Sequence, residues 1–156
     1  MTINIRNVNE NDAEILQKLA AECGILDIHT IYTYWVICNY FSKHSYIMQD
    51  GDRPIGFITY IENDKCALIW QIGIIKKYRG KGLSKLLIDA VISGIENKDI
   101  NVTIDEHNIP SNKAFKNYAK EHNYIMKGIG KVEVRGIDAS ENEVIYNLKR
   151  GKQNED

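Results

Sequence analysis

The residues best suited to chemistry are Arg79-Gly80-Lys81-Gly82-Leu83-Ser84-Lys85, a basic, glycine-rich loop. It follows the apolar run Ile69-Trp70-Gln71-Ile72-Gly73-Ile74-Ile75 and precedes the first turns of an amphipathic helix. Such a loop aims consecutive backbone N–H groups, the positive end of a helix dipole and nearby cations at one place. That combination binds a pyrophosphate. A Cβ at Gly80 or Gly82 would hold the backbone off the phosphate oxygens and restrict the turn. Arg79, Lys81 and Lys85 can add charge-assisted contacts. A basic turn of this kind is on its own only a strand–helix connection, and its patterned flanks strengthen the reading. The spacing is neither Gly-x-Gly-x-x-Gly nor Gly-x-x-x-x-Gly-Lys-Ser/Thr, so dinucleotide and P-loop readings lose support.

The elements around the loop follow from periodicity. Ile3, Ile5 and Val8 mark a first strand. Asn9 and Asn11 offer capping side chains for a helix over 12–22, apolar at Ile15, Leu16, Leu19 and Ala20 and ended by Gly24. Ile31, Tyr34, Trp35, Cys38 and Phe41 place a second helix over 30–41. Strands over 45–49 and 54–61, joined by Asp50-Gly51-Asp52, form a hairpin. A central strand over 67–74 feeds the loop, and Leu83, Leu86, Leu87, Ala90, Val91, Gly94 and Ile95 give the clearest helical stripe. A strand over 100–104, a helix over 110–122 and strands near 127–134 and 144–148 complete a mixed α/β sheet covered by helices.

The chain of 156 residues suits one domain, over 1–150, with 151–156 a polar tail. Hydrophobic residues make up 44% and charged residues 26%, and the formal net charge of −1 gives no pull toward nucleic acid or an anionic membrane. The basic residues instead cluster at Lys76, Lys77, Arg79, Lys81 and Lys85, which suits a small polyanion. Cys23, Cys38 and Cys66 form no Cys-x-x-Cys pair, and the four histidines show no ligand spacing with them, so reduced thiols and no metal are expected. No signal run or spanning apolar stretch appears, and a cytoplasmic location is expected.

Arg79, Gly82 and Ser84 match motif A of the GCN5-related N-acetyltransferases, Arg/Gln-x-x-Gly-x-Gly/Ala, with Ser84 as a small departure. The stretch Val102 to Phe115 resembles motif B of that family, in which an Asn after the strand contacts the cofactor; Asn108 matches it. The resemblance implies the acyl-CoA N-acyltransferase fold, a mostly antiparallel central sheet flanked by helices. It also implies acetyl-CoA held by Ile72, Gly73, Ile74, Arg79, Gly80, Lys81, Gly82, Leu83, Ser84, Asn108, Ser111 and Phe115. Many members have a Tyr where this chain has Phe115, and that Tyr protonates the leaving thiolate. Phe115 cannot. Tyr118, one turn on, is the alternative acid or a core aromatic.

Leu26-Asp27-Ile28-His29-Thr30-Ile31-Tyr32-Thr33-Tyr34 with Cys38 and Phe41 resembles the N-terminal signature of L-2,4-diaminobutyrate acetyltransferases of ectoine biosynthesis. Trp70-Gln71 and Pro54-Ile55-Gly56-Phe57 fit the same group. His29 and Thr30 stand where that group has Asn-Ser, and Ser140-Glu141-Asn142-Glu143 keeps two glutamates but not the histidine of its His-Glu-x-Glu. This resemblance implies a small amino-acid amine as acceptor, bound by Asp27, Tyr32 and Trp70, with Glu141 or Glu143 closing the site, and a homodimer. Asp27 could equally cap a helix and Trp70 fill the core. A base acting through water could be Glu62, Asp105, Glu141 or Glu143, and oxyanion donors would be backbone N–H groups around 72–74. The rivals are a family member acting on another small amine, a polyamine or a peptide N-terminus, and a non-catalytic acyl-CoA-binding domain.

Overall fold

The computed structural model describes residues 1–137 and 140–152. Its elements in chain order are β1 (Ile3–Asn7), α1 (Ala13–Cys23), α2 (Ile31–Tyr40), β2 (Tyr46–Asp50), β3 (Arg53–Glu62) and β4 (Cys66–Ile74). A 3-10 turn (Lys76–Tyr78) then leads to α3 (Ser84–Ile92), β5 (Asp99–Asp105), α4 (Ile109–Glu121), β6 (Tyr124–Arg135) and β7 (Ser140–Arg150). The expected mixed α/β class is what is found, with a seven-stranded sheet and four α-helices among the described residues. The chain forms two compact units, one of 1–61 with 69–96, the other of 62–68 with the residues from Asn97 onward. Gln153 to Asp156 of the expected tail lie outside the described residues.

In the first unit β1, β2 and β3 pair antiparallel, with Ile5 opposite Met48 and Ile47 opposite Phe57. The register slips between Met48 and Gln49, where Gln49 faces Pro54. Proline has no N–H for the ladder, and a bulge is where a sheet tolerates it. Leu16, Leu19, Ala20 and Cys23 bury one stripe of α1, and Gly24, at φ +78, ends it with its N–H on the Ala21 carbonyl. Thr30 caps α2, its Oγ1 accepting the Thr33 N–H at 3.2 Å.

Two local expectations need correction. Asn9 and Asn11 do not cap α1. The cap position is Asp12, whose carboxylate instead takes two bonds from the Arg6 guanidinium, at 2.7 and 2.9 Å, and one from the Asn9 N–H at 2.7 Å. A charge-assisted fork is stronger than a neutral cap. Burial alone would raise the Asp12 carboxyl, but Arg6 and the Asn9 N–H outweigh it and hold it below its ordinary value. Second, the α3 stripe does not run to Ile95. The helix stops at Ile92, because Gly94 is a poor helix former and lies hard against His44, whose ring would be 2.7 Å from a Cβ there.

In the second unit β7 lies between β5 and β6, antiparallel to both. Ile100, Val102 and Ile104 alternate to one buried face of β5. The start of β4 joins this unit, where the Cys66 thiol takes the Asn101 amide N–H at 3.1 Å. β6 and β7 are longer than expected, because most of β6 is exposed and its ends carry no apolar alternation. Asn108 caps α4, with Pro110 in the first turn where its missing N–H is harmless. Cys23 and Cys38 are buried helix thiols, and Cys66 is half-buried. No described helix is long and apolar enough to cross a membrane.

Candidate active site

The loop after β4 has the backbone its sequence asks for. Gly80 and Gly82 sit at φ +75 and +73, the left-handed region that other residues avoid. A Cβ on Gly80 would meet nothing within 4 Å, and one on Gly82 only the Lys85 side chain, Cε at 3.3 Å. The glycines therefore serve the turn's dihedrals and leave open space above the backbone. Leu83, at the cap position of α3, makes no side-chain cap bond. The helix presents its first N–H groups and its positive dipole end to that space.

Arg79 departs from its expected task. Its Nε donates to the Ile74 carbonyl at 2.9 Å, its Nη2 to the Cys23 carbonyl, and its backbone N–H to the Lys76 carbonyl at 3.2 Å. The guanidinium joins the end of β4 to the last carbonyl of α1, that of Cys23, which lacks a helical partner at the negative dipole end. Packing beneath the loop is tight. A Cβ on Gly73 would stand 2.5 Å from Cys23 Sγ and 2.8 Å from Leu26 Cδ1, and one on Gly56 2.8 Å from the Gly73 carbonyl oxygen. Burial pushes the Cys23 thiol up to about 11, with Arg79 opposing, so it stays an unreactive thiol. Ile72 and Ile74 are buried on the same strand.

The segment between α1 and α2 is pinned to β4 by Gln71. Buried Gln71 accepts the Tyr34 hydroxyl on Oε1 at 3.0 Å and donates Nε2 to the Asp27 carbonyl at 2.9 Å. Its backbone N–H goes to Thr59 Oγ1 at 3.0 Å. Gln17 Nε2 holds the His29 carbonyl at 3.1 Å, and the His29 ring lies 4.7 Å from the Trp70 ring. Burial raises the Tyr34 hydroxyl above its ordinary value, against the bonds from the His29 backbone and Gln71. Asp27 is tied to β4 by its backbone carbonyl and Trp70 meets the same segment through the His29 ring; the Asp27 side chain is exposed, and neither residue caps α2. Tyr32 does not join them through a ring contact: it is 69% exposed and stacks on Trp35 at 5.7 Å. Sequence reasoning missed Gln71, Tyr34 and His29 as organisers. The available signal was a lone amide in an otherwise apolar strand.

In the second unit Asn108 spends its Oδ1 on the Ser111 N–H at 3.2 Å, as the α4 cap. Ser111 is buried, and Phe115 is wholly so. Tyr118 is 2% exposed, its ring 4.1 Å from His122 and 5.9 Å from Tyr124. Glu141 and Glu143 are half-buried and two apart on β7, hence on one face, with Asp105 and Val132 opposite Glu143.

Residues 13–119 match the family model described as Acetyltransferase (GNAT) family. The chain belongs to the GNAT acetyltransferases. That family membership makes it an acetyltransferase with the fold inferred from the loop and the second cluster. Among its relatives, L-2,4-diaminobutyric acid acetyltransferase of Halalkalibacterium halodurans is 33% identical over 132 residues, 78% of this chain and 67% of that one. The enzyme of the same name from Streptomyces coelicolor is 30% identical over 117 residues, 70% and 69% of the two chains. Among solved structures, this GNAT chain is similar to diaminobutyrate acetyltransferase EctA of Paenibacillus lautus, in complex with L-2,4-diaminobutyric acid and coenzyme A. The TM-score is 0.83 at 20% identity, covering 94% of each chain. Arabidopsis thaliana Naa50 with a bisubstrate analogue follows at TM-score 0.74 and 16% identity, covering 96% and 99%.

Proposed function

We propose that this chain transfers the acetyl group of acetyl-CoA to a primary amine of L-2,4-diaminobutyrate, the step that enters ectoine synthesis. The observation that carries the reading is the agreement of two independent segments. The Gly80–Ser84 loop suits a pyrophosphate, and the segment around Asp27, held to β4 by Gln71 and by the His29–Trp70 ring contact, lies in a signature resembling that of diaminobutyrate acetyltransferases. The loop passes a test of fit for coenzyme A: its two left-handed glycines leave bare backbone under open space. The family match from 13 to 119 draws on both units, which supports reading 1–150 as one catalytic domain.

In the reaction the amine nitrogen attacks the thioester carbonyl, a C–N bond forms, the C–S bond breaks and one proton leaves the nitrogen. An alkylamine has a pKa near 10, so a base must take its proton. Gln71 cannot. Glu141 and Glu143, beside Asp105 on one sheet face, supply carboxylates that can act through water. Backbone N–H groups around Ile72–Ile74 would meet the oxyanion. Phe115 is buried and carries no proton, and Tyr118 remains our candidate acid for the thiolate. Thiol release from acetyl-CoA, followed against diaminobutyrate, polyamines and peptide N-termini, tests the substrate. We expect diaminobutyrate to give the largest kcat/KM, and a polyamine acetylated far better would overturn this choice.

The chain is also proposed to act as a homodimer through α2. Tyr32, Trp35, Tyr40 and Phe41 are 69%, 42%, 72% and 39% exposed, and Trp35 contacts both Tyr32 and Tyr40. That is more aromatic surface than a small monomer usually leaves in water. Light scattering at micromolar concentration should return twice the chain mass, and a monomer mass would reject the dimer.

A further inference from the structure

Three cations of the first unit converge on one ring. From the Tyr78 centroid, Lys81 Nζ lies 5.5 Å away, Arg53 Cζ 5.9 Å and Lys77 Nζ 6.0 Å. The ring is 7% exposed, whereas Arg53, Lys77 and Lys81 are exposed. The Tyr78 hydroxyl donates to Asp50 Oδ2 at 2.7 Å, and Asp50 Oδ1 accepts the Thr2 N–H at 2.9 Å. The Tyr78 hydroxyl also holds the Asp50 carboxyl below its ordinary value, so it is ionised at neutral pH.

Stability alone does not call for this arrangement. An exposed cation–π contact contributes about 0.5–1 kcal/mol, and each added cation repels those already present. Asp50 supplies one negative charge against the three cations at the ring, and the N-terminal ammonium near Asp50 adds to the positive side. An anion carrying close to two charges, which is what a phosphate monoester carries, offsets most of that excess.

The position of the cluster says which monoester. Lys81 belongs both to the loop, between Gly80 and Gly82, and to the cations around Tyr78. In coenzyme A the ribose that bears the pyrophosphate on its 5′ carbon bears a phosphate monoester on its 3′ carbon. A ligand with its pyrophosphate on the loop therefore carries its second phosphate one sugar away. We propose that Arg53 and Lys77, with Lys81 around Tyr78, form the site for the 3′-phosphate of coenzyme A, so that the chain selects coenzyme A over its 3′-dephospho form. The inference rests on the reading of the loop as the pyrophosphate site.

Titration calorimetry of the full chain with coenzyme A and with 3′-dephospho-coenzyme A, at one fixed ionic strength, tests it. The wild-type chain should bind coenzyme A roughly ten- to a hundredfold more tightly, the range expected of hydrogen bonds to a charged group. In the double variant Arg53→Gln, Lys77→Gln the affinity for coenzyme A should fall toward that for the dephospho form, which itself should barely change. Equal binding of the two ligands by wild type, or undiminished selectivity in a variant with a wild-type melting temperature, overturns the site. Failure of wild type to bind either ligand overturns the loop reading, and this site with it.

Discussion

Gly82→Trp should weaken acetyl-CoA binding by at least about a hundredfold while the far-ultraviolet circular dichroism stays that of wild type. The residue stands at φ +73, where an L side chain costs roughly 1–2 kcal/mol. A Cβ there touches only the far end of the flexible Lys85 side chain, so the fold can absorb it. What the loop cannot absorb is an indole over its N–H groups, in the space that phosphate oxygens need. Gly80→Ala, by contrast, adds a single methyl with nothing within 4 Å, and should lose far less. Calorimetry on the two folded variants checks the ranking, and unchanged affinity in Gly82→Trp would remove the ligand from this loop.

Asp27→Asn should raise the KM for diaminobutyrate by roughly one to two orders of magnitude and leave acetyl-CoA affinity nearly unchanged. The carboxylate is exposed, while its own backbone carbonyl is held by Gln71 Nε2 at 2.9 Å. The side chain is thus presented from a pinned backbone, free to meet the ammonium that is not acetylated. Losing one member of such a charge-assisted pair costs about 1.5–3 kcal/mol. Asparagine keeps the shape and the backbone bond, so a change in KM without a change in melting temperature isolates the charge. Normal kinetics in Asp27→Asn would reject the residue's role and leave the reaction class standing.

The loop and the elements around it were legible because their signals are local. Gly80 and Gly82 announce a left-handed turn, the Leu83–Val91 stripe announces a helix, and Gly24 announces where α1 ends. The C-terminal strands were legible only in their middles, since a strand end such as Tyr124–Met126 is an unbroken apolar run in sequence although its burial alternates. Organisation of the segment between α1 and α2 was hidden for a different reason. Gln71 gains its meaning from Tyr34 and Asp27, 37 and 44 residues away, and no spacing rule spans such distances. Asn9 and Asn11 misled for a related reason: cap-forming residues before a helix suggest caps, but the cap position falls on Asp12, and only the fold brings Arg6 close enough to take its carboxylate.

One bond network has a mechanical consequence. The Arg79 guanidinium grips the last residue of β4 and the last residue of α1, and the chain from Cys23 reaches Asp27 in four residues. Stiffness is therefore shared between the glycine loop and the segment proposed to carry the acceptor's counter-charge. A displacement at one is transmitted through a planar, two-pronged side chain to the other. Lysine, a single point charge on a flexible stem, has no second prong with which to span both carbonyls. The first residue of the glycine loop thus acts as a strut between the loop and the segment after α1, and an exchange that preserves its charge would still uncouple them.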